Sequence, residues 1–82
     1  MFEYSICNQA DEEIFVKQCS ALEKHIPGLV KKDLSTDVDN SKVQEYTLGD
    51  AEITVHNDYY INEVVVKSEI ELEHFFINHS RP

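Results

Sequence analysis

Glycine and proline are nearly missing: there are two of each in 82 residues, too few for a long flexible linker, and no repeat or low-complexity segment appears. Cysteine is as scarce. Cys7 and Cys19 stand alone, where a small secreted domain usually carries four or more in a disulfide framework. Free, buried thiols in a reducing, cytoplasmic setting are therefore expected. No apolar run exceeds three residues, as at Val64–Val66, which argues against a membrane-spanning helix. The opening MFEYSICNQADEE has no basic region followed by an apolar run, so it predicts no signal peptide.

Positive charge is the next shortage. Seven Lys and Arg face sixteen Asp and Glu, a formal charge of −9. The imbalance is local: residues 1–32 carry a net −1 and residues 33–82 a net −8. Lys31-Lys32 is the only basic doublet. Such a surface repels phosphates and anionic membrane, so neither nucleic acid nor a bilayer is an expected direct partner. It attracts basic protein surfaces and speeds encounter with them. The same acidity also keeps a small protein soluble.

Signatures of chemistry are absent as well. There is no phosphate-cradling loop and no dinucleotide fingerprint, and Gly28 and Gly49 sit where ordinary turns need them. Asp37-Val38-Asp39-Asn40-Ser41 resembles the start of a calcium loop. Lys42 then occupies the position that needs Gly, and Leu48 the one that needs a bidentate Glu. His74 and His79 are five apart and diverge around a helix, and neither cysteine has a nearby partner, so no metal site is expected. His56 with Asp58 or Glu63 is the one candidate general-base pair. No cofactor and no catalytic residue are assigned.

What remains is enough for one core. Apolar residues make up 41% of the chain, which suits one domain over residues 1–82 and is too much for a disordered tail. A core this small leaves little room for a substrate pocket, and that favours a binding module over an enzyme.

The elements follow from periodicity. Phe2, Tyr4 and Ile6 alternate with Glu3, Ser5 and Cys7, which predicts a strand. Phe15, Cys19, Leu22 and Ile26 recur at helical spacing, with Asn8 or Asp11 as cap, acids in the first turn and Pro27-Gly28 as stop. LVKKDLST predicts an edge strand running into a polar loop at Asp37–Ser41. Leu48-Gly49-Asp50-Ala51 predicts a two-residue hairpin turn, placing Leu48 opposite Ala51, Tyr46 opposite Ile53 and Gln44 opposite Val55. HNDYYINE, residues 56–63, predicts the next hairpin connection. Its turn is expected at Asn57-Asp58, with one of Tyr59 and Tyr60 facing the core and the other exposed. Ser68-Glu69-Ile70-Glu71 fits a capping box, and a short helix is expected from Glu69 to about Asn78. The expected fold is α+β, an antiparallel meander with helices on one face, in the order β-α-β-β-β-β-α.

In general character (short, acidic, without a reaction centre) the chain resembles bacterial immunity proteins and other small inhibitors of basic nuclease toxins. The resemblance is compositional and transfers no site. It implies a stoichiometric inhibitor whose carboxylates and tyrosines fill a cationic cleft. Asp50, Glu52, Asp58, Tyr59, Tyr60 and Glu63 are the expected contact residues, with Asp37 and Asp39 as a rim. The alternatives are a homodimeric regulatory or accessory domain paired through a sheet edge, and a small enzyme using His56.

Overall fold

The computed structural model describes residues 1–73. The element order is β1 (Phe2–Cys7), α1 (Glu12–His25), β2 (Val30–Thr36), β3 (Lys42–Leu48), β4 (Ala51–Asp58) and β5 (Glu63–Ser68). The five strands form one antiparallel sheet in the order β1-β5-β4-β3-β2. Strands β2 to β5 are joined by short turns. Helix α1 carries the chain across one face of the sheet, from edge strand β1 to the opposite edge β2.

Helix α1 starts where a donor is satisfied: Asp11 lies outside the helix in extended backbone and its Oδ1 accepts from Ile14 N at 3.0 Å. Glu12 and Glu13 meet the positive end of the helix dipole, and Lys24 and His25 the negative end. The apolar stripe Phe15, Cys19, Leu22 and Ile26 packs on Tyr46, Ile53, Val55, Val66 and Leu72, with Tyr4, Ile6, Leu29, Leu48 and Ile70 around the margin. The Tyr46 hydroxyl donates to Glu23 Oε2 at 2.6 Å and also lies 3.4 Å from Cys19 O, which pins the helix to the sheet. Burial first, then the Glu23 carboxylate, push this phenol far above the ordinary tyrosine range.

The expected β3–β4 hairpin is present in register: Leu48 pairs with Ala51, Tyr46 with Ile53 and Gln44 with Val55. Gly49 takes φ +62°, the left-handed backbone that its turn requires. Strand β2 is exposed at all seven positions. It carries a bulge between Lys31 and Leu34. The carbonyls of bulge residues Lys32 and Asp33 both accept from the buried Gln44 amide, at 3.1 and 3.3 Å. One buried side chain thus satisfies two carbonyls and fixes the irregularity.

Two expectations need correction. The second helix does not begin at Glu69. Ser68 is the last residue of β5, its hydroxyl accepts from Ile70 N at 3.1 Å, and the Glu69 carboxylate accepts from Glu52 N at 2.6 Å. With both side chains held in this way, residues 69–72 are not helical, and helical backbone is reached only at Glu73. The expected continuation to Asn78, with Phe75 and Phe76, lies outside the described residues, among which α1 is the one helix observed. Leu72 still lands in the core, fully buried, on the face that α1 covers.

The second correction concerns HNDYYINE. Asn57 and Asp58 are the last residues of β4, and the turn is Tyr59–Asn62. Left-handed backbone falls on Asn62, φ 59°, and not on Asn57. Since neither tyrosine is in a strand, alternation does not bury one of them, and both are exposed.

Candidate functional site

The topology sorts the expected contact residues onto two ends of the sheet. Pairs Thr36–Lys42, Lys42–Asn57 and Asp58–Glu63 place the β2–β3 and β4–β5 connections side by side at one end. That end holds Asp37, Asp39, Asp58, Tyr59, Tyr60 and Glu63. Asp50 and Glu52 lie at the other end, in and beside the β3–β4 turn. Glu52 and Asp58 are six positions apart along β4, about 20 Å. Six of the eight residues thus converge, and two do not.

Both connections at the convergent end are held by their own carboxylates. Asp58 Oδ1 accepts from Tyr60 N at 2.9 Å and Ile61 N at 3.2 Å. Asp37 Oδ1 accepts from Val38 N at 2.7 Å, and Asp39 Oδ1 from Ser41 N at 3.0 Å. The Ser41 N–H, and then its hydroxyl, hold the Asp39 carboxyl below the ordinary range. Ser41 Oγ in turn accepts from Tyr59 N at 2.9 Å, tying one loop to the other. Short polar side chains that bond nearby backbone make these loops defined without burial.

Behind them, Asn57 is fully buried and its Oδ1 accepts from Asp11 N at 3.0 Å. Asn62 Oδ1 accepts from Ala10 N at 2.8 Å. The segment leading into α1 is therefore fastened to the same end of the sheet.

The loops present apolar tips to solvent. Val38 is 100% exposed, Tyr60 90%, Ile61 53% and Tyr59 43%. Between the loops runs an open groove of about 350 Å³ lined by Asp37, Asp39, Asp58 and Tyr60, with Ser35 and Val43 toward the sheet. The composition reading missed Val38, Ser41, Val43 and Ile61. Only the pairing of the two loops reveals them, since no one of these residues stands out along the chain.

A second groove, about 200 Å³, lies between α1 and β2–β3, with Phe15, Val16, Cys19 and Leu34 in its lining. Two ion pairs bridge it, Lys31–Glu23 at 3.4 Å and Lys42–Glu12 at 2.9 Å.

His56 does not sit in the loop groove. It is half-buried on the sheet face opposite α1, with Nε2 2.8 Å from Thr54 Oγ1. Burial, then the Lys67 ammonium, lower its pKa below the ordinary range, while Asp58 and Glu3 pull the other way. Cys7 and Cys19 are both free thiols, Cys19 buried and Cys7 half-buried. Among the described residues no group of three or more His, Cys, Asp or Glu side chains is placed to hold a metal ion, and no helix is long and apolar enough to cross a membrane. Comparison with protein-family models, curated proteins and solved structures gives no match.

Proposed function

We propose that the chain is a small acidic protein-binding inhibitor, of the immunity-protein kind, whose paired loops enter the cationic cleft of a basic toxin or nuclease. One observation carries the reading: exposed Tyr59, Tyr60, Ile61 and Val38 stand together at one end, rimmed by Asp37, Asp39, Asp58 and Glu63. Aromatic anchors inside a polar, charged rim are the anatomy of a protein interface. The loops are also set in advance by their own hydrogen bonds, so little ordering entropy is spent on binding.

The homodimer paired through a sheet edge has less support. Strand β2 is long and exposed, but it carries two lysines and a bulge, both devices that discourage edge-to-edge pairing. His56 as a catalytic base has less still. Its hydrogen-bond partner is a threonine, and it is not among the residues that line the groove.

The test is purification of the partner from native lysate, followed by calorimetric titration of variants. Tyr60→Ala is expected to weaken binding by about 2 kcal/mol or more without lowering the melting temperature. Asp58→Asn keeps the oxygen that holds the turn and removes the charge, so it isolates the electrostatic part. Unchanged affinity in both variants would remove this end from the interface.

A further inference from the structure

We infer that the sheet face opposite α1 forms the rest of the footprint, docking a cationic protein surface on the cross-strand row Val43–His56–Val65; this rests on the reading of the loops above.

Core residues Tyr46, Ile53, Val55 and Val66 point toward α1. Alternation therefore sends their neighbours to the other face, and no described element packs there. The pairings align Ser35, Val43, His56, Val65 and Ser5 in one row across all five strands. At its centre His56 stands between two valines, with Val43 and His56 half-buried and Val65 6% exposed. Around it stand five carboxylates, Glu3, Glu45, Glu52, Asp58 and Glu63, against two ammoniums, Lys67 and, at the β2 bulge beside Glu45, Lys32.

Charge complementarity thus names the occupant. Asp58 lies directly opposite Glu63 in the β4–β5 pair, and like charges in that relation destabilise a sheet. A cationic partner converts that cost into attraction. A second copy of this chain, carrying −9, would add to it.

The face is continuous with the loops. Ser35, Val43 and Asp58 belong to it and also line the loop groove, so the groove opens onto the face. Size points the same way. Five strands at about 4.8 Å spacing and some 20 Å of strand length give roughly 400 Å², about half of the ~800 Å² that a standard interface takes from each partner. The loop tips supply the remainder. Asp50, in the far turn, falls outside this footprint.

The experiment is methyl and aromatic NMR of the labelled full chain titrated with an unlabelled small ribonuclease of isoelectric point above about 9. It is run at about 10 mM salt, where the Debye length is about 30 Å and even a non-cognate cation settles on the most complementary surface. Expected are shifts of the Val43 and Val65 methyls and the His56 ring together with the Tyr59 and Tyr60 rings. The Val55 and Val66 methyls under α1, Val16 on the helix and Ala51 at the far end should stay in place.

Shifts confined to the tyrosine rings would overturn the face and leave the loop reading standing. Shifts as large at Val16 and Ala51, or none anywhere, would overturn both. Concentration-dependent shifts of Val43 and Val65 before any ribonuclease is added would assign the face to a second copy, and would overturn the cationic partner. Glu3→Lys with Glu45→Lys should weaken the titration about tenfold, while Asp50→Lys changes it less than about threefold.

Discussion

Replacing Asn57 by Ala tests whether the sheet holds the start of the helix. Asn57 is fully buried at the end of β4, and its Oδ1 accepts from the backbone N–H of Asp11, which is itself the N-cap of α1. Truncation leaves that N–H without its acceptor in a part-buried site, a cost of about 1–3 kcal/mol. Freed from the sheet, Asp11 also loses some of a capping contribution worth about 1 kcal/mol. One gain offsets these losses: the Asn57 side-chain Nδ2 is buried with no hydrogen-bond partner among the described residues, and removing it relieves about 1 kcal/mol. The net is about 2 kcal/mol. For a domain of this size each kcal/mol shifts the midpoint by about 4–8 °C, so a fall of roughly 10 °C is expected in a thermal melt followed by far-ultraviolet circular dichroism. Asn62→Gly is the companion. It keeps the left-handed backbone of Asn62 and removes only its exposed bond to Ala10 N, where water substitutes, so its midpoint should fall by much less. A midpoint for Asn57→Ala within about 2 °C of the parent would refute the account, as would an equal fall for Asn62→Gly.

Other outcomes follow from charge and burial. The association rate with the isolated partner should fall about tenfold or more between low and high salt in stopped-flow measurements; a flat rate would leave the acidity to solubility alone. Thiol titration of native protein should modify Cys7 first, with Cys19 reacting only on denaturation, because Cys19 is buried and that burial raises its pKa. His56 titrates below its unfolded value, so the unfolded chain binds the proton more readily. Its contribution to stability is therefore complete above about pH 6.5 and is lost as pH falls below that, through the lowered folded value. His56→Gln should flatten that part of a stability-against-pH curve; an unchanged slope would assign it to another group.

The β3–β4 register was legible in the sequence because Gly49 and Asp50 fix the turn while the apolar residues on both sides match across it. Helix α1 was legible for the same reason: cap, dipole and apolar stripe agree. The β4–β5 turn was not. Asn-Asp is a fair turn signal, but Asn57 is taken up by a buried bond to Asp11, forty-six residues away, and the strand runs on past it. Ser68 misled similarly, since a capping box and a strand end with a local serine bond share the same letters. The site divided along these lines. Asp58, Tyr59, Tyr60 and Glu63 are neighbours in the chain, and Asp37 and Asp39 join them through strand pairing. Asp50 and Glu52 were grouped with them by charge, which carries no information about which end of a strand a residue occupies.

Placing α1 between the two edge strands also orders events in time. Strands β2 to β5 are consecutive hairpins, each closed by a loop of a few residues. The β1–β5 seam instead joins Phe2 to Ser68 and must close nearly the whole chain, at an entropic cost that rises with the logarithm of loop length. Local pairs therefore form first and the seam last. Weakening Tyr4 or Ile6, both on β1, should then speed unfolding more than it slows folding, whereas weakening Tyr46 or Ile53 should do the reverse. The strand that comes first in the element order is thus the one that docks last, and β5 keeps an unpaired edge until it does.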